Sequence, residues 1–334
     1  MNDSKPQAKY TSTPARRQPT LVPVTMADGS TSQMRIFLPG TPRVGEKVVN
    51  DATASSSAEN PVQDLVNAGW DRTRPLIVIW PGFGMGARYY DPIAWELADR
   101  GYPVISGELR GQGTSTAVAT RKHKWGYHHL ASGDYPRTIR AAKEALGVNK
   151  NHPTLMLCHS MGGQIGSLFL ARPEAKELGI RGMMGVGSGT PYYRGFKGKQ
   201  YARLRFGTYQ IMLNILLFGY QPAGFLDLAG YGRQSGVQLR EWFRYGHTNR
   251  LHKLADQDMD YEEAKKAVRI PVLLTRCTND EDCPLASAEH LGAELPADMV
   301  TIEELDAPLG HNRWAREPQV VSDRLETFWR EISA

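Results

Sequence analysis

Cys158-His159-Ser160-Met161-Gly162-Gly163 sets a serine hydroxyl between an apolar run, Thr154-Leu155-Met156-Leu157, and a helix-like stretch in which Ile165, Leu168 and Phe169 recur at i, i+3 and i+4. A serine at such a strand-to-helix turn becomes a nucleophile when a base takes its proton and backbone N–H groups receive the developing oxyanion. The residues around it must be small, because strand and helix pass close together there. Gly162 and Gly163 meet that need, and Cys158 stands where the G-x-S-x-G pattern has its first glycine. Two further segments supply the remaining chemistry. The run Ile270-Pro271-Val272-Leu273-Leu274-Thr275 opens onto Thr278-Asn279-Asp280-Glu281-Asp282-Cys283-Pro284, and Met299-Val300-Thr301-Ile302-Glu303-Glu304-Leu305 runs on to Leu309-Gly310-His311. The chain order is Ser, Asp, His.

The elements needed to position these groups are legible upstream. Pro75-Leu76-Ile77-Val78-Ile79-Trp80 reads as a buried strand running into Pro81-Gly82-Phe83-Gly84-Met85-Gly86, with a helix following through Ile93, Ala94, Leu97 and Ala98. Gly101-Tyr102-Pro103-Val104-Ile105-Ser106 leads into Glu108-Leu109-Arg110-Gly111-Gln112-Gly113-Thr114-Ser115. Leu21–Thr25 and Met34–Leu38, joined through Ala27-Asp28-Gly29-Ser30, predict a hairpin. A helix is expected from Asp134, as its N-cap, to Leu146, and a C-terminal one that buries Val321, Leu325 and Phe328. Strands alternating with helices imply a mainly parallel sheet covered on both faces.

Over about residues 70–334 the chain resembles the α/β-hydrolase superfamily. The elbow is similar to that of monoacylglycerol-lipase-type serine hydrolases. Gly101-Tyr102-Pro103-Val104 and Glu108-Leu109-Arg110-Gly111-Gln112-Gly113-Thr114-Ser115 match the family's Gly-Tyr-x-Val and Asp-x-Arg-Gly-x-Gly-x-Ser, with Glu in place of Asp. Trp80-Pro81-Gly82-Phe83 keeps Gly-Phe of the family's His-Gly-Phe/Trp turn and lacks its histidine. The resemblance implies Ser160 as nucleophile, His311 as general base and Asp280 as the acid that orients it, with Asp282 and then Glu281 as fallbacks. It also implies an oxyanion hole from the backbone N–H groups of Phe83 and Met161. After the preceding strand no acid is available, since Gly187-Ser188-Gly189-Thr190 stand there. His159 is expected to be packed or hydrogen-bonded locally.

The expected architecture is an α/β-hydrolase fold: a mainly parallel central sheet with helices on both faces and an inserted helical cap. Residues 1–19 form a mobile tail; 20–189 and 268–334 form the core, with a surface loop at 41–60 and a short helix at 61–68; residues 190–267 form the cap. Thirteen aromatic residues lie between Tyr192 and Tyr245. The most hydrophobic stretch, Tyr209–Phe218, is too short for the roughly 20 residues of a membrane span. It reads as a cap helix, an acyl-binding wall or an interfacial lid, and Tyr209, Met212, Leu216 and Trp242 are the cap's candidates for substrate contact.

Composition excludes several other readings. There is no H-E-x-x-H and no complete G-x-G-x-x-G or Gly-Lys-Ser/Thr loop, so no metal and no cofactor are expected. The formal charge of +5 is modest and mostly dispersed, which gives no basis for a nucleic-acid partner and is compatible with weak contact to an anionic membrane surface. Three cysteines without framework spacing, and no apolar segment after Met1, lead to the expectation of reduced thiols, no secretory signal and a cytoplasmic setting. The functional expectation is a serine hydrolase that cleaves a small-molecule ester or thioester with an apolar part through an acyl-serine intermediate. An acyltransferase, a cofactor-free haloperoxidase or C–C hydrolase on the same triad, and a non-catalytic apolar-ligand-binding protein are the alternatives.

Overall fold

The computed structural model describes residues 17–41, 69–227, 230 and 232–334. Residues 1–16 of the expected tail, 42–60 of the expected loop and the helix expected at 61–68 lie outside the described residues.

Two strands come first among the described residues, as the expected hairpin: β1 (Thr20–Thr25) pairs antiparallel with β2 (Thr31–Phe37). There follow β3 (Leu76–Trp80), α1 (Asp91–Asp99), β4 (Val104–Ser106), α2 (Tyr135–Ala145), β5 (Thr154–His159), α3 (Met161–Leu170) and β6 (Ile180–Val186). Next come α4 (Thr208–Phe218), the short strands β7 (Tyr220–Gln221) and β8 (Gln234–Ser235), and α5 (Gly236–Thr248). The chain closes with β9 (Val272–Cys277), α6 (Leu285–Gly292), β10 (Val300–Leu305) and α7 (Gln319–Ser333). The main sheet has eight strands in the order β1-β2-β4-β3-β5-β6-β9-β10, parallel from β4 onward. β5, which carries the serine turn at its end, therefore sits in the interior of the sheet.

The unbroken apolar runs of these strands follow from burial on both faces. On β3 and β5, Leu76, Val78, Trp80, Met156 and Cys158 point into one layer, with Ile139 and Ala142 of α2 and Ile165, Leu168 and Phe169 of α3. Ile77, Ile79, Leu155 and Leu157 point into the other, with Ile93 and Leu97 of α1 and Val321, Leu325 and Phe328 of α7. Trp80 stacks on Tyr135 with ring centroids 3.6 Å apart, which fixes the end of β3 against the start of α2. A Cβ on Gly107 would come within 2.6 Å of the same indole.

The N-terminus of α2 differs from expectation. Asp134 has helical backbone angles and makes no capping bond; a π-helical turn, Leu130–Asp134, runs straight into α2. Its carboxylate instead ion-pairs with Arg110 in the interior. A guanidinium in reach outcompetes the first-turn N–H groups, because an ionised partner makes the stronger hydrogen bond.

Between β6 and β9 the inserted helices α4 and α5 form a cap-like region, in which Ile211 and Ile215 pack on Leu239. Leu157 is fully buried three residues before Ser160. Leu157→Ala is expected to lower stability by about 2–5 kcal/mol, read as a shift of the urea midpoint.

Candidate active site

Ser160 stands between the last residue of β5 and the first of α3, at φ 50° and ψ −119°. Such a conformation is strained for a residue with a Cβ, and it turns the side chain out of the sheet. The surroundings over-determine it. A Cβ on Gly162 would lie 2.8 Å from the Pro81 carbonyl oxygen and 3.0 Å from that of Trp80. One on Gly163 would lie 2.3 Å from Ser188 Oγ. Both glycines are therefore required by close packing. Cys158, at the departure from the usual motif, is buried against Gly166, where a Cβ would meet its Sγ at 3.3 Å.

The two downstream loops bring Asp280 and His311 together. His311 Nδ1 lies 3.0 and 2.9 Å from the two carboxylate oxygens of Asp280. Asp280 is buried, and its Oδ1 also accepts the backbone N–H groups of Asp282 (3.0 Å) and Cys283 (2.9 Å). Neither fallback acid bonds to His311: Asp282 lines the cavity but accepts from Gln200 and Arg203, and Glu281 is exposed. Gly187 (φ 58°) faces the pair from the end of β6, where a Cβ would sit 2.9 Å from His311 Nδ1 and 3.0 Å from Asp280 Oδ2. The site needs a glycine there. Ser160 and His311 line one cavity, and no hydrogen bond joins their side chains among the described residues.

His159 belongs to a chain of hydrogen bonds beneath the site. The Gly82 N–H donates to Tyr90 Oη (2.9 Å), Tyr90 Oη lies 2.6 Å from His159 Nδ1, and His159 Nε2 lies 2.9 Å from the His311 carbonyl oxygen. The directions follow from the end groups. A carbonyl only accepts, so Nε2 carries the proton; Nδ1 then accepts from the Tyr90 hydroxyl, whose oxygen accepts from Gly82. The Nδ1 direction is that of a neutral imidazole, which burial enforces by pushing the His159 pKa well below its ordinary value, helped by the nearby His311. The Trp314 indole N–H donates to the same His311 carbonyl (2.9 Å). The turn at Gly82-Phe83 and the backbone of His311 are thus tied through Tyr90 and His159. Sequence reasoning missed Tyr90, because a tyrosine ahead of a helix carries no signal of what it will meet across the fold.

Phe83 lines the cavity, and the Gly82 Cα lies so close that a Cβ would be 3.3 Å from Ser160 Cβ. Met161 is the first residue of α3, whose leading N–H groups have no intrahelical partner and point positive dipole toward the serine. The cavity measures about 370 Å³ and is walled by Phe83, Met161, Phe196, Leu204 and Trp242, with Gln164, Thr190, Arg203, Asp282, Ser287 and Asn312 as polar members. Among the cap candidates only Trp242 lines it. Met212 packs beside Ile211 and Ile215, while Tyr209 and Leu216 face outward. The α4 stripe turned toward the rest of the protein is Thr208, Ile211, Asn214 and Ile215, which leaves the other positions on the outer side.

The Glu108–Ser115 motif is structural. Buried Glu108 accepts from the backbone of Ala87 (2.7 Å) and from the backbone and hydroxyl of Thr114 (2.9 and 3.0 Å), stitching the loop after β4 to the turn before α1. Cys158, Cys277 and Cys283 are free and buried, and burial pushes their thiols up. Among the described residues no three His, Cys, Asp or Glu side chains gather into a metal site, and no helix is long and apolar enough to cross a membrane.

A fold of this strand order with a serine at the sharp turn after its fifth strand defines a hydrolase-type α/β protein. Residues 77–324 match the Alpha/beta hydrolase family profile, and the chain belongs to that family. No curated protein sequence matches it. Solved structures of the same fold include a membrane phospholipase A described as a bacterial virulence factor (16% identity, 95% of this chain and 87% of that one, TM-score 0.55). A putative aryl esterase from Burkholderia cenocepacia has 16% identity over 94% of this chain and 99% of its own (TM-score 0.54). The thioesterase domain from the curacin biosynthetic pathway has 13% identity over 92% and 99% (TM-score 0.53).

Because His159 stays neutral when folded, the unfolded chain alone takes up a proton there below about pH 6.5, so stability falls as the pH drops. His128, His129 and His152 are shifted down by burial in the same direction. His159→Gln is expected to flatten part of that decline, measured as the slope of the melting temperature between pH 7.5 and 5.

Proposed function

We propose that the protein is a serine hydrolase of carboxylic esters or thioesters, acting through an acyl-Ser160 intermediate. The observation that carries this reading is the Asp280–His311 pair opening onto the same cavity as a serine held at φ 50°. Nδ1 of His311 faces Asp280, which leaves Nε2 to take the Ser160 proton. Ser160 Oγ bonds to the substrate carbonyl carbon, and the oxyanion is received by the N–H groups of Phe83 and Met161. Collapse of this intermediate breaks the bond to the alcohol or thiol, which leaves with the proton from His311. Water then attacks the acyl-enzyme by the same route and restores Ser160. Hydrogen bonds between nucleophile and base commonly tighten only once substrate is bound, consistent with the open Ser160–His311 pair.

That the compared structures include a phospholipase, a putative aryl esterase and a thioesterase domain supports an acyl carbonyl as the reacting group. A cavity of about 370 Å³ is near the lower end of the roughly 300–1,000 Å³ of ligand pockets. It favours short or medium acyl groups, or an aryl group, over long chains.

A fluorophosphonate is expected to add once to the wild type and not to Ser160→Ala, read by intact mass; an unlabelled, well-folded wild type would sink the proposal. Asp280→Asn should lower kcat by about 10⁴-fold through the wrong imidazole tautomer. In a p-nitrophenyl ester series, kcat/KM is expected to peak at butyrate to octanoate and fall at palmitate.

Tyr90→Phe keeps the ring in place and removes the hydroxyl between Gly82 and His159. It is expected to lower kcat at least tenfold with KM nearly unchanged, since the tie holds groups used in the transition state. An equal loss in Tyr90→Phe and in the Tyr90→Phe, His159→Gln double variant would show the two side chains acting as one unit.

A further inference from the structure

Helix α4 is apolar on two sides, and only one side is covered. Ile211 and Ile215 are buried against Leu239, yet Leu213 is 54% exposed, Leu216 78% and Leu217 54%. Tyr209 extends this outer stripe, and Phe206 (60% exposed) and Phe225 (90% exposed) flank it. The Phe225 loop is held to the helix by bonds from Gln210 and Asn214 to the Leu226 carbonyl. A helix apolar all round belongs in an interior, and a contiguous exposed apolar patch marks a contact surface.

The charges around the patch select what covers it. Residues 191–226 contain no Asp or Glu, and they carry Arg194, Lys197, Lys199, Arg203 and Arg205; the next acid, Asp227, accepts the Gly232 N–H. Only Arg203 of these forms an ion pair among the described residues, with Asp282. Half-buried Arg205 lies over the rings of Tyr193 (5.3 Å) and Phe206 (5.2 Å) and donates to the Tyr209 hydroxyl (3.3 Å), so its stem and the aromatic rings share the apolar surface while its charge meets no carboxylate among the described residues. At the other end of α4, Arg121 donates to the Leu217 carbonyl, and Lys122 and Lys124 follow it in the sequence; none of these three has an acidic partner among the described residues. Aromatic and leucine side chains flanked by cations in excess over acids are the features of a surface that inserts shallowly into an anionic lipid interface. A second copy of this chain fits less well, because a two-fold contact through the patch would bring the two sets of cations together.

We propose that the outer face of α4, with Phe206 and Phe225, docks the protein on the surface of an anionic bilayer. Phe196, Arg203 and Leu204, in the segment leading into α4, also line the Ser160 cavity, so docking would place the cavity mouth near the interface. The docking proposal is independent of hydrolysis and is tested without it.

The test is flotation of the full chain, carrying Ser160→Ala, with vesicles of pure phosphatidylcholine and of phosphatidylcholine containing 30% phosphatidylglycerol. Binding is expected on the anionic vesicles, at least tenfold stronger than on the neutral ones, and it should weaken severalfold when salt is raised from about 50 to 500 mM. The triple variant Leu213→Glu, Leu216→Glu, Phe225→Glu changes only exposed side chains and should lose the binding at least tenfold. Circular dichroism and the melting temperature of the variant check that it is folded. Absence of binding to anionic vesicles, or equal binding by the folded triple variant, would overturn the proposal. So would sedimentation showing a dimer that the triple variant dissociates, which would assign the face to a second copy. Ester turnover by Ser160→Ala bears on the reaction proposed above and leaves the vesicle result intact.

Discussion

The structure depends on one tight crossing, where β5 gives way to α3 at Ser160. A non-glycine residue at φ 50° and ψ −119° costs on the order of 1–3 kcal/mol, so the surrounding packing has to hold it. Interior placement of β5 does this from both sides: the Trp80 and Pro81 carbonyls leave no room for a side chain at Gly162, and Ser188 leaves none at Gly163. The same constraint explains why Cys158 is tolerated. Its side chain points into the buried layer beside Gly166, away from the crossing itself.

Around this crossing the polar groups form two connected sets. Asp280 is held by two backbone N–H groups and meets His311. Below it, Tyr90 and His159 link the Gly82 peptide to the His311 carbonyl. Burial keeps the imidazole neutral, and in that state Nδ1 accepts from Tyr90 while Nε2 donates to the His311 carbonyl, so both ring nitrogens are satisfied. The turn after β3 lacks a histidine of its own, and a tyrosine and a histidine from two other elements hold its Gly82 peptide instead.

The cap-like region works under different constraints. Its inward side supplies Phe196, Leu204 and Trp242 to the cavity, while the outward side of α4 keeps Leu213, Leu216 and Leu217 in solvent. A hydropathy profile sees one apolar run at 209–218 and cannot divide it, because nearly every position is apolar and no polar stripe marks the outer face. Hence Tyr209 and Leu216 were reasonable candidates for substrate contact, and packing turned them away from the cavity. Asp134 is a similar case. Its position ahead of a helix fits an N-cap, and a distant arginine redirected it.

Local patterns in the sequence determined the strands, the helices of the core and the order Ser160, Asp280, His311, because apolar periodicity and turn chemistry act over a few residues. The alternation of strands and helices implied a mainly parallel sheet, and the strand order came only from the structure. The tertiary structure alone decided that Asp280 meets His311 while Asp282 pairs with Arg203, that Tyr90 and His159 are linked, and which side of α4 is covered. Those outcomes depend on contacts between residues tens of positions apart, and such contacts leave no local pattern in the chain.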